Sequence, residues 1–129
     1  MSVKVIQIEG GLFKAECRGA EVQAGRVTPD SQYVGISPGN LMLASLGMCN
    51  GVYVENYMRT EGIKYESIEV TVNRKYERDP PRVTEFDVDI KIEGDLSEEE
   101  RKGALKAAHS CYVCNTLEGT PKINISLTG

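Results

Sequence analysis

Hydrophobic and polar positions along the chain follow several distinct patterns, each predicting a different kind of element. Near the N-terminus, β-prone runs at residues 3–8 and 12–17 flank Gly10-Gly11, a pair that accommodates positive φ and suits a hairpin. A third run at 20–24 extends this hairpin into a meander. Residues 26–37 lose periodicity and carry Pro29, Asp30, Gly35 and Ser37, the composition of a loop. From 41 to 49 apolar residues continue on nearly every side, with Ser37 placed as a cap and Pro38 at the first helical position. This predicts a helix ending near 60–62, and its all-round apolar surface predicts that it is buried. Gly47 and Gly51 bracket Cys49 and lower helix propensity, which predicts another backbone passing close to that face.

Further on, Ile68, Val70 and Val72 alternate with polar residues, as do Phe86, Val88, Ile90 and Ile92. A period of two marks half-buried antiparallel strands, and Asp79-Pro80-Pro81 between them makes residues 65–93 a long hairpin. Ser97 with Glu100 three positions later is a capping box, so a second helix runs from there to about His109. Glu98, Glu99 and Glu100 are charges suited to that helix start. A short helical piece over 111–118 is stopped by Gly119 and Pro121, and Ile123, Ile125 and Leu127 alternate as a last strand. Strands, helix, hairpin, helices and strand give an α+β fold, with antiparallel sheets around a long buried central helix.

Composition narrows the function classes. A chain of 129 residues supports one core, so residues 1–129 are expected to be a single domain. The 40% hydrophobic and 26% charged content is that of a folded globular protein. A net charge of −4 offers no basic surface for phosphates, so no nucleic-acid partner is expected. The N-terminus reads directly as a strand and not as a secretory leader, and the longest apolar stretch is far short of the roughly 20 residues that span a bilayer. A cytoplasmic protein with no membrane partner is the expectation. In that compartment Cys17, Cys49, Cys111 and Cys114 are held reduced, so cysteine work here is redox chemistry, metal binding or packing.

Redox cysteine chemistry commonly needs two thiols that meet, one oxidised to a sulfenic acid and one condensing with it to a disulfide. Cys49 lies on the buried helix among small residues, and Cys111 lies between two helices. Cys111 and Cys114 also form a CxxC pair, open to two readings: a thiol–disulfide exchanger, or half a metal site. With no second CxxC and one histidine in the chain, no metal is expected. His109, late in its helix, reads as a structural residue favoured by the dipole. Cys17 reads as a core residue, and Tyr53 and Tyr57 as a core pair on one helical face.

The segment from Ser37-Pro38-Gly39-Asn40-Leu41 to Ser45-Leu46-Gly47-Met48-Cys49 resembles the helix motif of the OsmC/Ohr family, PxELLLAALGGC or NPEQLFAAGYSAC. The segment Ala108-His109-Ser110-Cys111-Tyr112-Val113-Cys114-Asn115-Thr116-Leu117 resembles its second motif, AHxxCPYSNAT or CPVHxTL. The order of elements agrees over essentially the whole chain. The resemblance implies an intertwined homodimer that reduces organic hydroperoxides, with Cys49 as the peroxidatic thiol and Cys111 as the resolving one. It also implies regeneration by a small dithiol or lipoyl-type reductant. No nicotinamide or flavin motif is present, so no cofactor is expected.

Hydroperoxide-reducing members carry a Glu just before the helix that orients an Arg toward the thiolate, whereas Gly39 and Asn40 stand here. A thiolate in an apolar helix bundle requires a compensating cation. Arg18, followed by Gly19, fits the family pattern best, with Arg26 second and Glu16 or Glu21 as substitute anchors. The empty carboxylate position supports an alternative reading, an OsmC-fold stress-associated or binding protein with weak or no peroxidase activity.

Overall fold

A computed structural model describes residues 2–129. The element order is β1 (Lys4–Glu9), β2 (Gly11–Cys17), β3 (Ala20–Arg26), α1 (Pro38–Thr60), β4 (Ser67–Arg78), β5 (Pro81–Glu93), α2 (Glu98–His109) and α3 (Tyr112–Glu118). The chain divides into two compact units, Met1–Met42 and Leu43–Gly129, with the division inside α1.

The first unit is an antiparallel meander, β1-β2-β3. Gly10 sits at φ +55°, and a Cβ there would collide with the Val27 carbonyl, so the first turn requires glycine. Arg18 and Gly19 form the two-residue turn between the paired ends Cys17 and Ala20, both at positive φ as a type I′ turn demands. Ser37 opens α1: its carbonyl accepts the Leu41 N–H at 2.8 Å and its hydroxyl accepts the Asn40 N–H at 3.3 Å.

In the second unit, α1 buries Leu46, Gly47, Asn50, Val54 and Met58, spaced so that they share one face. The helix ends in a Schellman motif. Ile63 N–H reaches Met58 O at 2.9 Å, Gly62 N–H reaches Arg59 O at 3.2 Å, and Gly62 takes φ +65°. β4 and β5 pair antiparallel with Ile68 opposite Ile92, Val70 opposite Ile90 and Val72 opposite Val88, so the alternating residues of both strands fall on one face. Gly47 faces side chains on this sheet, its virtual Cβ lying 3.0 Å from Val72 Cγ2 and 3.6 Å from Val70 Cγ1. The close approach expected at Gly47 is therefore made by β4 side chains and not by another backbone. The core joins Val54 and Met58 of α1 to Ala104 and Ala108 of α2, with Tyr57, Ile68, Ile90 and Leu96 packed around them. The capping box is complete: Glu100 N–H donates to Ser97 Oγ at 3.1 Å, and Ser97 N–H to Glu100 Oε1 at 2.8 Å.

Two further expectations are corrected. The long helix is not buried on all sides, since Met48 and Val52, one turn apart, are 69% and 64% exposed. An apolar side chain on a helix is covered only where another element packs, and nothing covers this stripe among the described residues. Nor do Ile123, Ile125 and Leu127 form a strand; they are exposed in an irregular segment. Alternation supplies the face of a strand, but a strand exists only where a neighbouring edge accepts its hydrogen bonds.

Candidate redox site

The second motif is built by the junction of α2 and α3. α2 ends at His109, and Cys111 caps α3 in extended backbone at φ −72°, ψ 156°. Its sulfur takes the place of the usual cap oxygen and accepts the Cys114 N–H at 3.3 Å. The CxxC spacing thus puts the second cysteine at the third helical position, the one whose N–H a cap side chain serves. Cys111 is fully buried, and Cys114 is half-buried.

The buried face of α1 supplies the rest. Asn50, only 2% exposed, points its amide at this junction. Nδ2 lies 3.0 Å from Ala108 O, 3.4 Å from Cys111 Sγ and 3.3 Å from Cys114 Sγ. Two hydrogens cannot serve three acceptors fully at once. The short contact to the carbonyl holds one, and the two sulfurs share the other. Asn50 Oδ1 is buried without a hydrogen-bond partner among the described residues. Leaving a buried acceptor unmade costs about 1–3 kcal/mol, so the amide stays in this core for what its donor end does. Cys114 can return a bond, with its thiol 3.8 Å from Ala108 O.

Cys114 and Asn50 also line a groove of about 830 Å³ in the second unit. Phe86, Ile90, Leu105 and Leu117 give it apolar walls, and Lys102 and Lys106 stand on it as cations. His109 lines it as well, 3.3 Å from Glu118 on α3, both largely exposed. That pair links two helices at the surface, in keeping with a structural role for this histidine.

The remaining expected residues are placed as follows. Cys49 is half-buried, next in sequence to Asn50 and so about 100° around the helix from it. It forms no hydrogen bond with any described residue, and the structure records no contact between it and Cys111. Cys49, Cys111 and Cys114 are free thiols. Arg18 is exposed on the β2–β3 turn of the first unit. Its expected anchors are engaged elsewhere: Glu16 and Glu21 both approach Lys14 at 3.7 Å. Arg26 lies 4.6 Å over the Tyr33 ring. No group of three or more His, Cys, Asp or Glu suited to a metal occurs among the described residues. Within the same limits, no helix is long and apolar enough to cross a membrane.

Asn50 escaped sequence reasoning. Its partners lie 58 to 64 positions away, and the only local sign was an amide directly after the motif cysteine in an otherwise apolar run.

Residues 29–126, most of the chain, match the family model of the OsmC-like protein. The chain belongs to the OsmC-like family. No curated protein sequence matches it. The OsmC-like protein from Mycoplasma pneumoniae superposes with a TM-score of 0.80 at 17% identity, over 92% of this chain and 87% of that one. An OsmC-like protein of unknown function from Vibrio cholerae gives 0.72 at 16% identity, covering 91% and 92%. The organic hydroperoxide resistance protein OhrB of Bacillus subtilis gives 0.56 at 20% identity, covering 92% and 90%. At these identities the likeness establishes the OsmC-like α+β fold. Function has to come from the residues of this chain.

Proposed function

We propose that this OsmC-like protein reduces organic hydroperoxides, with Cys49 as the peroxidatic thiol and Cys111 as the resolving one. The observation that carries the reading is Asn50. The residue adjoining Cys49 donates to Cys111 Sγ, so the two family motifs meet at one buried amide. In the first step the Cys49 thiolate attacks the terminal peroxide oxygen. The O–O bond breaks, and Cys49 becomes a sulfenic acid while the alkoxide takes a proton and leaves as an alcohol. Cys111 sulfur then attacks the sulfenic sulfur, releasing water and forming a Cys49–Cys111 disulfide. Two electrons and two protons from a small dithiol, of the lipoyl type, restore both thiols.

Resolution requires Cys111 to leave its buried cap position. α3 has seven residues, none of them buried, so little apolar contact opposes that movement. Arg18 is the cation we assign to the Cys49 thiolate, with Arg26 second. We further propose a cytoplasmic homodimer.

Thiol counting tests the reading. One equivalent of cumene hydroperoxide is expected to lower the wild-type titre from four thiols to two and to leave the three of Cys49→Ser untouched. An undiminished wild-type titre, or equal loss in the variant, contradicts it. A binding role without peroxidase chemistry is favoured by one specific feature, Gly39 and Asn40 in place of the family Glu. An undiminished titre would select it.

A further inference from the structure

We infer that Cys111 and Cys114 form a second redox pair, a dithiol that exchanges with small disulfides at the groove. The pair shares Cys111 with the proposed peroxidatic cycle, but its exchange chemistry does not use Cys49.

Three observations converge on it. Both sulfurs lie within hydrogen-bonding distance of one buried nitrogen, Asn50 Nδ2, at 3.4 and 3.3 Å. The Cys114 N–H also reaches Cys111 Sγ at 3.3 Å, so the Cys111 sulfur sits against the backbone that carries Cys114. The pair is asymmetric in access: Cys111 is sealed, whereas Cys114 lines the groove. One Asn50 hydrogen serves the Ala108 carbonyl at 3.0 Å and the other is left to the two sulfurs, while Oδ1 has no partner among the described residues.

The asymmetry fixes the roles. Cys114 sulfur attacks one sulfur of an incoming small disulfide, the S–S bond breaks, and the departing thiolate takes the proton Cys114 gives up. Cys111 sulfur, held at the Cys114 N–H, then attacks Cys114 Sγ and expels the second thiol with the proton of Cys111. One disulfide is consumed and one formed, and two electrons pass from the protein to the small molecule. Run in reverse, a small dithiol reduces the pair. Asn50 is the positioning residue. As a donor to both sulfurs it favours the reduced form, in which they carry more negative charge. On the groove, Glu85 is paired with Lys75 at 3.1 Å and Glu118 with His109. Lys102 and Lys106 have no ion pair among the described residues, which suits an anionic disulfide such as that of glutathione.

The test uses the Cys17→Ser/Cys49→Ser protein, which retains only this pair, equilibrated in glutathione buffers. The expected result is loss of both thiols together, with a mass lower by two hydrogens and no persistent glutathione adduct. A stable adduct on Cys114 with Cys111 still free, or no reaction, overturns the assignment. Should the double variant fold poorly, the wild-type protein answers the same question. Tryptic cleavage after Lys106 and Lys122 leaves both cysteines, and no other, in the peptide 107–122. That peptide is expected to lose two hydrogens on oxidation, and finding it always unchanged is the contrary outcome. Asn50→Ala is expected to shift the glutathione equilibrium toward the disulfide by roughly fivefold, one weak hydrogen bond's worth. An unchanged equilibrium constant removes Asn50 from the assignment. Hydroperoxide consumption enters none of these readings, so failure of the peroxidase proposal is separately visible.

Discussion

At the residue scale, single atoms decide how the second unit closes. A Cβ on Gly103 would run into the Tyr57 ring, which packs on the core beside Val54 and Met58. Gly103→Ala would ordinarily strengthen an exposed helix. Here it is expected to destabilise the protein by about 1–3 kcal/mol through overpacking, as measured by urea denaturation. Unchanged or increased stability would show that Tyr57 moves aside without loss. Asn50→Leu places a similar volume in the core but removes the amide donor shared by the Ala108 carbonyl and both sulfurs, and a loss of about 1–3 kcal/mol is expected in the same measurement. These two residues also mark how far sequence reading reaches. The two motifs that carry Cys49 and Cys111 were legible because they are local strings. Asn50 was not, because a buried amide's role is set by acceptors more than fifty positions away. The Arg18-Gly19 turn was legible as the gap between the runs at 12–17 and 20–24, but its positive φ at an arginine was not, since the two strands it joins impose it.

At the element scale, what the sequence made legible follows the range of the interactions involved. The start of α2 was readable because Ser97 and Glu100 satisfy each other's backbone groups within one turn. Ser97→Ala is expected to cost about 0.5–2 kcal/mol, seen as a lowered thermal midpoint; no change would mean that tertiary packing alone fixes this end. The β4–β5 hairpin was readable because a period of two writes its buried face directly into the sequence. The same period at Ile123, Ile125 and Leu127 misled, since pairing needs an edge from elsewhere. α1 misled in a related way: its apolar composition was plain, but which stripe a neighbour covers depends on what packs there, so Met48 and Val52 stand exposed.

At the scale of the whole molecule, those uncovered residues argue for a second copy of the chain. Met48 and Val52 on α1, Leu105 on α2 and the apolar residues of the C-terminal segment are all exposed, and exposed apolar surface is what a partner covers. The proposed homodimer, if obligate, would bury above roughly 2,000 Å² and cover them. Sedimentation at micromolar concentration is expected to give twice the 14.2 kDa chain mass, and a stable monomer would exclude this arrangement. In such a dimer residues 123–127 have a candidate edge to pair with, and slowed amide exchange there would show it. The OsmC-like fold was legible in advance because two motifs at a matched separation fixed the order of every element between them. Chemistry is the harder question, since Gly39 and Asn40 stand where hydroperoxide-reducing relatives carry a carboxylate. The most direct test follows the consumption of cumene hydroperoxide with excess dihydrolipoamide, comparing the wild-type protein with Cys49→Ser. Repeated turnover by the wild type that falls to the uncatalysed rate in the variant is the predicted result. Consumption at the uncatalysed rate by both proteins, or equal catalysis by both, would contradict a peroxidatic Cys49.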